Sequence, residues 1–196
     1  MTAAAFRYWA LDVEGSGTTP PEIIELAAVE IVNLQLTGQT RTWRIKPSKP
    51  ITRMATSIHG IRNQDVVDCP PFAEVSEDIE SVISEGLIVG HNIHVELAFL
   101  GRALPTWRPR IAVDTLRLTK ALRPGLPSYG LDQVGHLLSM SQRAQQITGQ
   151  KHHSALYDAT LAALVMAELL TELPENQRES ALRSADIFDQ PQGSLL

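Results

Sequence analysis

Glu22 to Leu34 reads EIIELAAVEIVNL. β-branched and apolar residues fill this run without a proline, and the pattern predicts a long, well-buried strand. The segment before it, Phe6 to Val13, alternates loosely, carries bulky residues and ends at Glu14-Gly15-Ser16-Gly17, so it reads as a strand running into a turn. Downstream, Gly38 marks a turn, and Thr40 to Ile45 forms a third strand that Pro47 and Pro50 stop. Three strands in succession predict a meander.

The pattern then changes period. Phe72, Val75, Ile79, Val82 and Ile83 recur at helical spacing after Pro70-Pro71, and Leu87-Ile88-Val89 is a short buried strand ended by Gly90. Helical spacing returns at Leu97, Leu100 and Leu104, and Ile111 to Val113 is another short strand. Helices follow near Leu116–Leu122, Leu131–Leu138 and Ala155–Leu173, with a last one over Glu175–Ser184. The order βββ then αβαβα predicts a mixed sheet flanked by helices, an α/β domain. The domain is expected to span residues 1–186, with 187–196 a mobile tail.

The chain has 196 residues, 43% hydrophobic and 20% charged, which describes an ordinary globular protein. A net charge of -5 excludes a basic coat, so a nucleic-acid partner must be met by a local patch or by bound metal ions. One cysteine, Cys69, allows no internal disulfide and suits a reducing compartment. Met1 to Trp9 lacks the pattern of a secretory signal, and Leu161–Leu170 is interrupted by Glu168 and too short for a bilayer. A cytoplasmic location without membrane association is expected.

Acidic residues stand in unexpected places. Asp12 and Glu14 lie two apart at the end of the first strand, so both project from one sheet face. Two carboxylates there repel unless a cation sits between them, or unless they lie in a solvated turn. Asp158 lies in the apolar helix Ala155–Leu173, either as an acid favoured by the helix dipole or as a ligand. Glu96 opens the helix after His91-Asn92 with the same two readings. His153, five residues before Asp158, is a surface histidine or a proton acceptor held beside a metal site. Acids at one strand end and two helix starts can converge on one point.

Leu11-Asp12-Val13-Glu14-Gly15, then His91-Asn92-Ile93-His94-Val95-Glu96, then His153-Ser154-Ala155-Leu156-Tyr157-Asp158 resemble the three exonuclease motifs of the DnaQ-like superfamily, the last fitting the His-x-Ala-x-x-Asp pattern of its DEDDh branch. Ile58-His59-Gly60-Ile61 resembles a further family segment. The resemblance implies a ribonuclease H-like fold: a mixed five-stranded sheet with the second strand antiparallel and helices on both faces.

It also implies two-metal hydrolysis of phosphodiesters from a 3′ end, releasing nucleoside 5′-monophosphates. Asp12, Glu14 and Asp158 would hold two magnesium ions, with manganese able to substitute, and Glu96 would bind directly or through water. His153 would act as general base. One departure stands out: the family usually has Asp where this chain has Glu96. Gly15 and Ser16 are expected near the terminal sugar and Asn92 at the substrate or ordering the site. Ile61 is expected against the terminal base or, on the other reading, in the core.

The partner implied is nucleic acid with a free 3′ end, single-stranded DNA first, with RNA or a catalytically weakened scaffold as alternatives. Arg102, Arg108, Arg110, Arg117, Lys120 and Arg123, with Trp107 among them, either track a strand by phosphate contact and stacking or form a solvated basic face. Gln192 to Leu196 resembles the short motif by which bacterial replication proteins bind the sliding clamp. A homodimer is left open.

Overall fold

The computed structural model describes residues 7–189. The expected clamp motif, Gln192–Leu196, lies outside them. β1 (Arg7–Gly15), β2 (Ile23–Val32) and β3 (Gln35–Arg44) form the meander. β1 runs past the expected end at Val13, so Asp12 and Glu14 sit within paired strand, Glu14 facing Glu25 of β2. The turn between β2 and β3 is not at Gly38. Asn33 and Leu34, at φ 53° and 62°, form a two-residue hairpin turn, the left-handed pair that matches strand twist. Gly38, at φ 86°, instead lies in an irregular stretch of β3: Leu36 faces Ile31 and Thr40 faces Val29, leaving Thr37 to Gln39 opposite Glu30 alone.

β4 (Leu87–Gly90) and β5 (Ala112–Asp114) add on parallel to β1, giving the order β3-β2-β1-β4-β5. β2 is the antiparallel member, as the ribonuclease H-like expectation requires. Alternation along β1 divides the core. Tyr8 and Ala10 face one side with Ala27, Val29 and Ile31. Trp9, Leu11 and Val13 face the other, against α2 (Phe72–Ser84) and α3 (His94–Ala103).

The first side is covered by α4 (Thr115–Leu122), α5 (Leu131–Leu137), α6 (Ser141–Thr148), α7 (Ala155–Thr171) and α8 (Glu175–Ala185). α7 is apolar nearly all round because it lies between the sheet and the other helices. α1 (Arg53–His59) and α6 escape the sequence pattern. α1 buries Ala55 alone, leaving Met54 and Ile58 exposed, and α6 buries just Ser141 and Ala144, so neither carries a readable apolar period.

Past α8 the chain keeps contact with the sheet. Asp186 accepts the Ala112 amide at 3.0 Å, and the Ile187 amide donates to the Ala112 carbonyl at 3.0 Å, so the chain is tied to the edge of β5 beyond α8. Among the described residues no helix is long and apolar enough to cross a membrane.

α5 meets α7 at Gly135, where an added Cβ would stand 2.8 Å from both Leu161 methyls and from Ser141 Oγ. Gly135→Ala is expected to lower stability by about 1–3 kcal/mol through overpacking. Adding Leu161→Val should recover part of that loss in urea unfolding. A double variant no more stable than Gly135→Ala would exclude this contact as the cause.

Candidate active site

Three elements meet at the carboxyl ends of β1 and β4. Asp12 and Glu14 leave β1 on the face that α7 covers, and Asp158 comes from the first turn of α7. One carboxylate oxygen from each of these three lies within 4.8 Å of the others. α3 starts just after β4 and brings Glu96, which is 5% exposed and whose Oε2 is buried without a hydrogen-bond partner. Glu96 stands beside this tight trio, and among neighbouring charges it is the largest contributor to the upward push on Asp12.

The electrostatics follow from burying like charges. Burial, then repulsion from Glu96, Asp158 and Glu14, holds the Asp12 carboxyl well above the usual carboxylate range. Burial and then Asp158 push Glu14 up to about 8. Burial and Asp114 push Glu96 up to about 8, against its own backbone amide. Asp158 is raised by burial too, while the His152 ring and the His153 amide pull it back. Among the described residues no lysine or arginine pairs with any of the four. Buried or half-buried, all-oxygen and short of positive charge, with one oxygen unpartnered, this donor set fits a hard divalent cation.

The histidines divide differently from expectation. His152 Nδ1 lies 2.8 Å from Asp158 Oδ1, whereas His153 reaches Asp158 Oδ2 through its backbone amide at 2.9 Å. The two rings stack at 3.8 Å, and His153 takes a left-handed φ of 65°. His152 is therefore a site residue that the sequence reading passed over. Doubled histidines before an acid were the signal.

Three further residues were missed. Glu25, read as part of an apolar strand, is 9% exposed and sits across from Glu14. Asp114 Oδ1 accepts the amides of Asn92 and Leu116, both at 2.9 Å, so it holds the Asn92 turn and caps α4. His59 Nδ1 accepts the Ile61 amide at 3.0 Å, and its ring is set against the Gly15 backbone.

The expected substrate contacts are less uniform. Asn92 is half-buried, at φ 67°. At Gly15 an added Cβ would stand 2.6 Å from Phe99 Cζ, so the strand end and the α3 ring pack closely there. Ser16 is fully buried and spent internally, its amide on the Glu22 carbonyl, its carbonyl on the Thr52 amide and its Oγ on the Glu22 amide. Ser16 thus has internal partners for its amide, carbonyl and hydroxyl. Ile61 is buried with Ile24, Ile51, Ala55 and Val66, the core reading of that residue. Trp107 is buried as well, so it offers no stacking face, and Arg123 pairs with Glu172 instead of standing free for phosphate.

The sequence model of the exonuclease family matches residues 10–166. The chain belongs to the DnaQ-like 3′–5′ exonuclease family. It is 30% identical over 194 residues to the DNA polymerase III subunit epsilon of Rickettsia felis, covering 93% of this exonuclease and 80% of that protein. It is 31% identical over 177 residues to the 3′-5′ exonuclease DinG of Bacillus subtilis, covering 85% of this chain but 18% of that one. The exonuclease also superposes on exonuclease X in complex with 5′ overhanging duplex DNA. That match has a TM-score of 0.65 and 24% identity, over 90% of this chain and 99% of the other.

The raised acids carry a pH signature. Between about 4.5 and about 8 the metal-free folded state binds more protons at Glu14 and Glu96 than the unfolded chain does. Its stability therefore falls as pH rises through that window and levels off above it. In EDTA, Glu96→Gln is expected to raise the melting temperature at pH 8 by about 3 °C, with the gap closing toward pH 5. A pH-independent loss of stability would show that Glu96 carries no such strain.

Proposed function

We propose that this exonuclease hydrolyses the terminal phosphodiester at the 3′ end of DNA, single strands preferred, and releases nucleoside 5′-monophosphates with two divalent ions. The observation that carries the reading is the gathering of Asp12, Glu14 and Asp158 within 4.8 Å, with the unpartnered Glu96 oxygen beside them. Asp12, Glu14 and Asp158 would hold the ions, and Glu96 would bind one of them directly or through water. When bound, such ions supply Lewis acidity and charge neutralisation at the scissile phosphate.

The chain's own groups supply the remainder. The His153 ring takes the proton from the attacking water as its oxygen bonds to phosphorus. The bond from phosphorus to the 3′-oxygen breaks, and that oxygen leaves with the shortened strand. His152, hydrogen-bonded to Asp158 and stacked on His153, orients the acid and the base together. DNA is favoured over RNA because the polymerase subunit and the exonuclease X complex are named for DNA. Cys69 is free of any disulfide, which accords with a cytoplasmic setting. Clamp binding through Gln192–Leu196 is a separable part of the proposal, tested by deleting residues 190–196.

The test incubates 3′-labelled single-stranded DNA and RNA separately with the protein and magnesium or manganese. Mononucleotide release is expected to vanish in EDTA. Asp12→Ala and Asp158→Ala should each lower kcat/KM by roughly a thousandfold or more, comparable to losing a principal electrostatic group. Release that survives EDTA or Asp12→Ala would defeat the proposal, and RNA degraded far faster than DNA would reverse the substrate preference.

Two finer outcomes are expected. His153→Ala should cost about 10²–10⁴ in kcat, the usual contribution of a positioned base, and more than His152→Ala. Glu96→Asp, which shortens the arm to the commoner length, should leave activity intact or raise it; a collapse would show that the surroundings have adapted to Glu.

A further inference from the structure

Glu14 and Glu25 face each other across β1 and β2. Their Cβ atoms are neighbours on one sheet face, where like charges repel. Yet the two carboxylates are committed to different partners. Both oxygens of Glu25 are occupied: Oε1 pairs with Arg44 at 2.7 Å, and Oε2 accepts the backbone amide of Ala155 at 3.1 Å. That leaves Glu14 to the acid cluster.

Ala155 is the first residue of α7, and the preceding Ser154 makes no side-chain cap. An uncapped helix start in a buried setting leaves amide groups short of acceptors. Here the acceptor comes from 130 residues earlier in the chain. The bond fixes where the start of α7 sits on the sheet. Asp158 follows three residues later, a rise of about 4.5 Å, and its carboxylate must meet Asp12 and Glu14 from β1.

We propose that Glu25 is a positioning residue of the hydrolytic centre. Clamped by Arg44, it holds the start of α7 at the depth that brings Asp158 to Asp12 and Glu14. This rests on reading the acid cluster as a metal centre. Glu25 touches neither substrate nor ion; its effect travels through the Ala155 amide. The reach of its side chain matters more than its charge, because a glutamine oxygen of equal length can accept the same amide.

Glu25→Asp and Glu25→Gln separate reach from charge. Glu25→Asp retracts the carboxylate by about 1.5 Å and releases the Ala155 amide. It is expected to weaken Mn²⁺ binding, measured by calorimetry without nucleic acid, by about tenfold. At saturating Mn²⁺ it should lower kcat on 3′-labelled single-stranded DNA by about 10- to 100-fold, the scale of an ångström displacement, with KM for the strand little changed. Glu25→Gln should lose clearly less in both measurements.

Melting in EDTA shows that each variant is folded. Glu25→Asp with wild-type Mn²⁺ affinity and kcat would overturn the proposal, leaving Glu25 a plain structural contact. Equal damage from both variants would overturn it too, by making charge rather than reach decisive. Wild-type protein that binds no Mn²⁺ would bring down the metal-centre reading itself, and this inference with it.

Discussion

The structure is organised around one electrostatic burden: four buried or half-buried carboxylates are crowded together, and among the described residues no lysine or arginine answers them. Burial and mutual repulsion push Glu14 and Glu96 up to about 8 and Asp12 well above its usual range. Such a cluster is costly for the fold, and the surrounding packing must offset it. That is the role of the two-sided core, in which α7 is enclosed by sheet on one side and helices on the other. The acids come from a strand end and two helix starts, elements rigid enough to keep like charges close.

A second ring of polar contacts holds this arrangement. Asp114 secures the turn after β4 and so the approach of α3, which carries Glu96. Its neighbour Thr115 shares a 2.9 Å hydrogen bond with His91 Nδ1, and His91 Nε2 lies 2.8 Å from the Tyr129 carbonyl. Burial pushes that imidazole down, so it serves as a neutral strut. Ser16 ties the turn after β1 to β2 and to the start of α1. The geometry of the cluster thus depends on polar groups that lie outside it.

Much of the architecture was legible in the sequence because apolar period and buried role coincide. The long β2, the central α7 and the alternation βββ then αβαβα all carry their burial on their faces. The hairpin was misplaced because Asn33-Leu34 is a weak turn signal beside Gly38, whose freedom serves the irregular β3 instead. α1 and α6 bury too little to leave a pattern. In the site, Asp12, Glu14, Glu96 and Asp158 stood out as acids in apolar settings. Glu25 hid in a run read as hydrophobic, and what occupies its oxygens is visible only once β2 and α7 are brought together. The burial of Trp107 and Ser16 could not be read in advance either, since residue type does not disclose whether a side chain faces outward.

The return of the chain past α8 has an effect on the margins of the sheet. The amide and carbonyl of Ala112, which a stray strand would otherwise find unpaired, are occupied by Asp186 and Ile187. At the opposite margin, three residues of β3 crowd against one of β2 and spoil its regular ladder. Both flanks are therefore poor templates for strand addition by another molecule, a guard against aggregation built from local irregularity and chain routing.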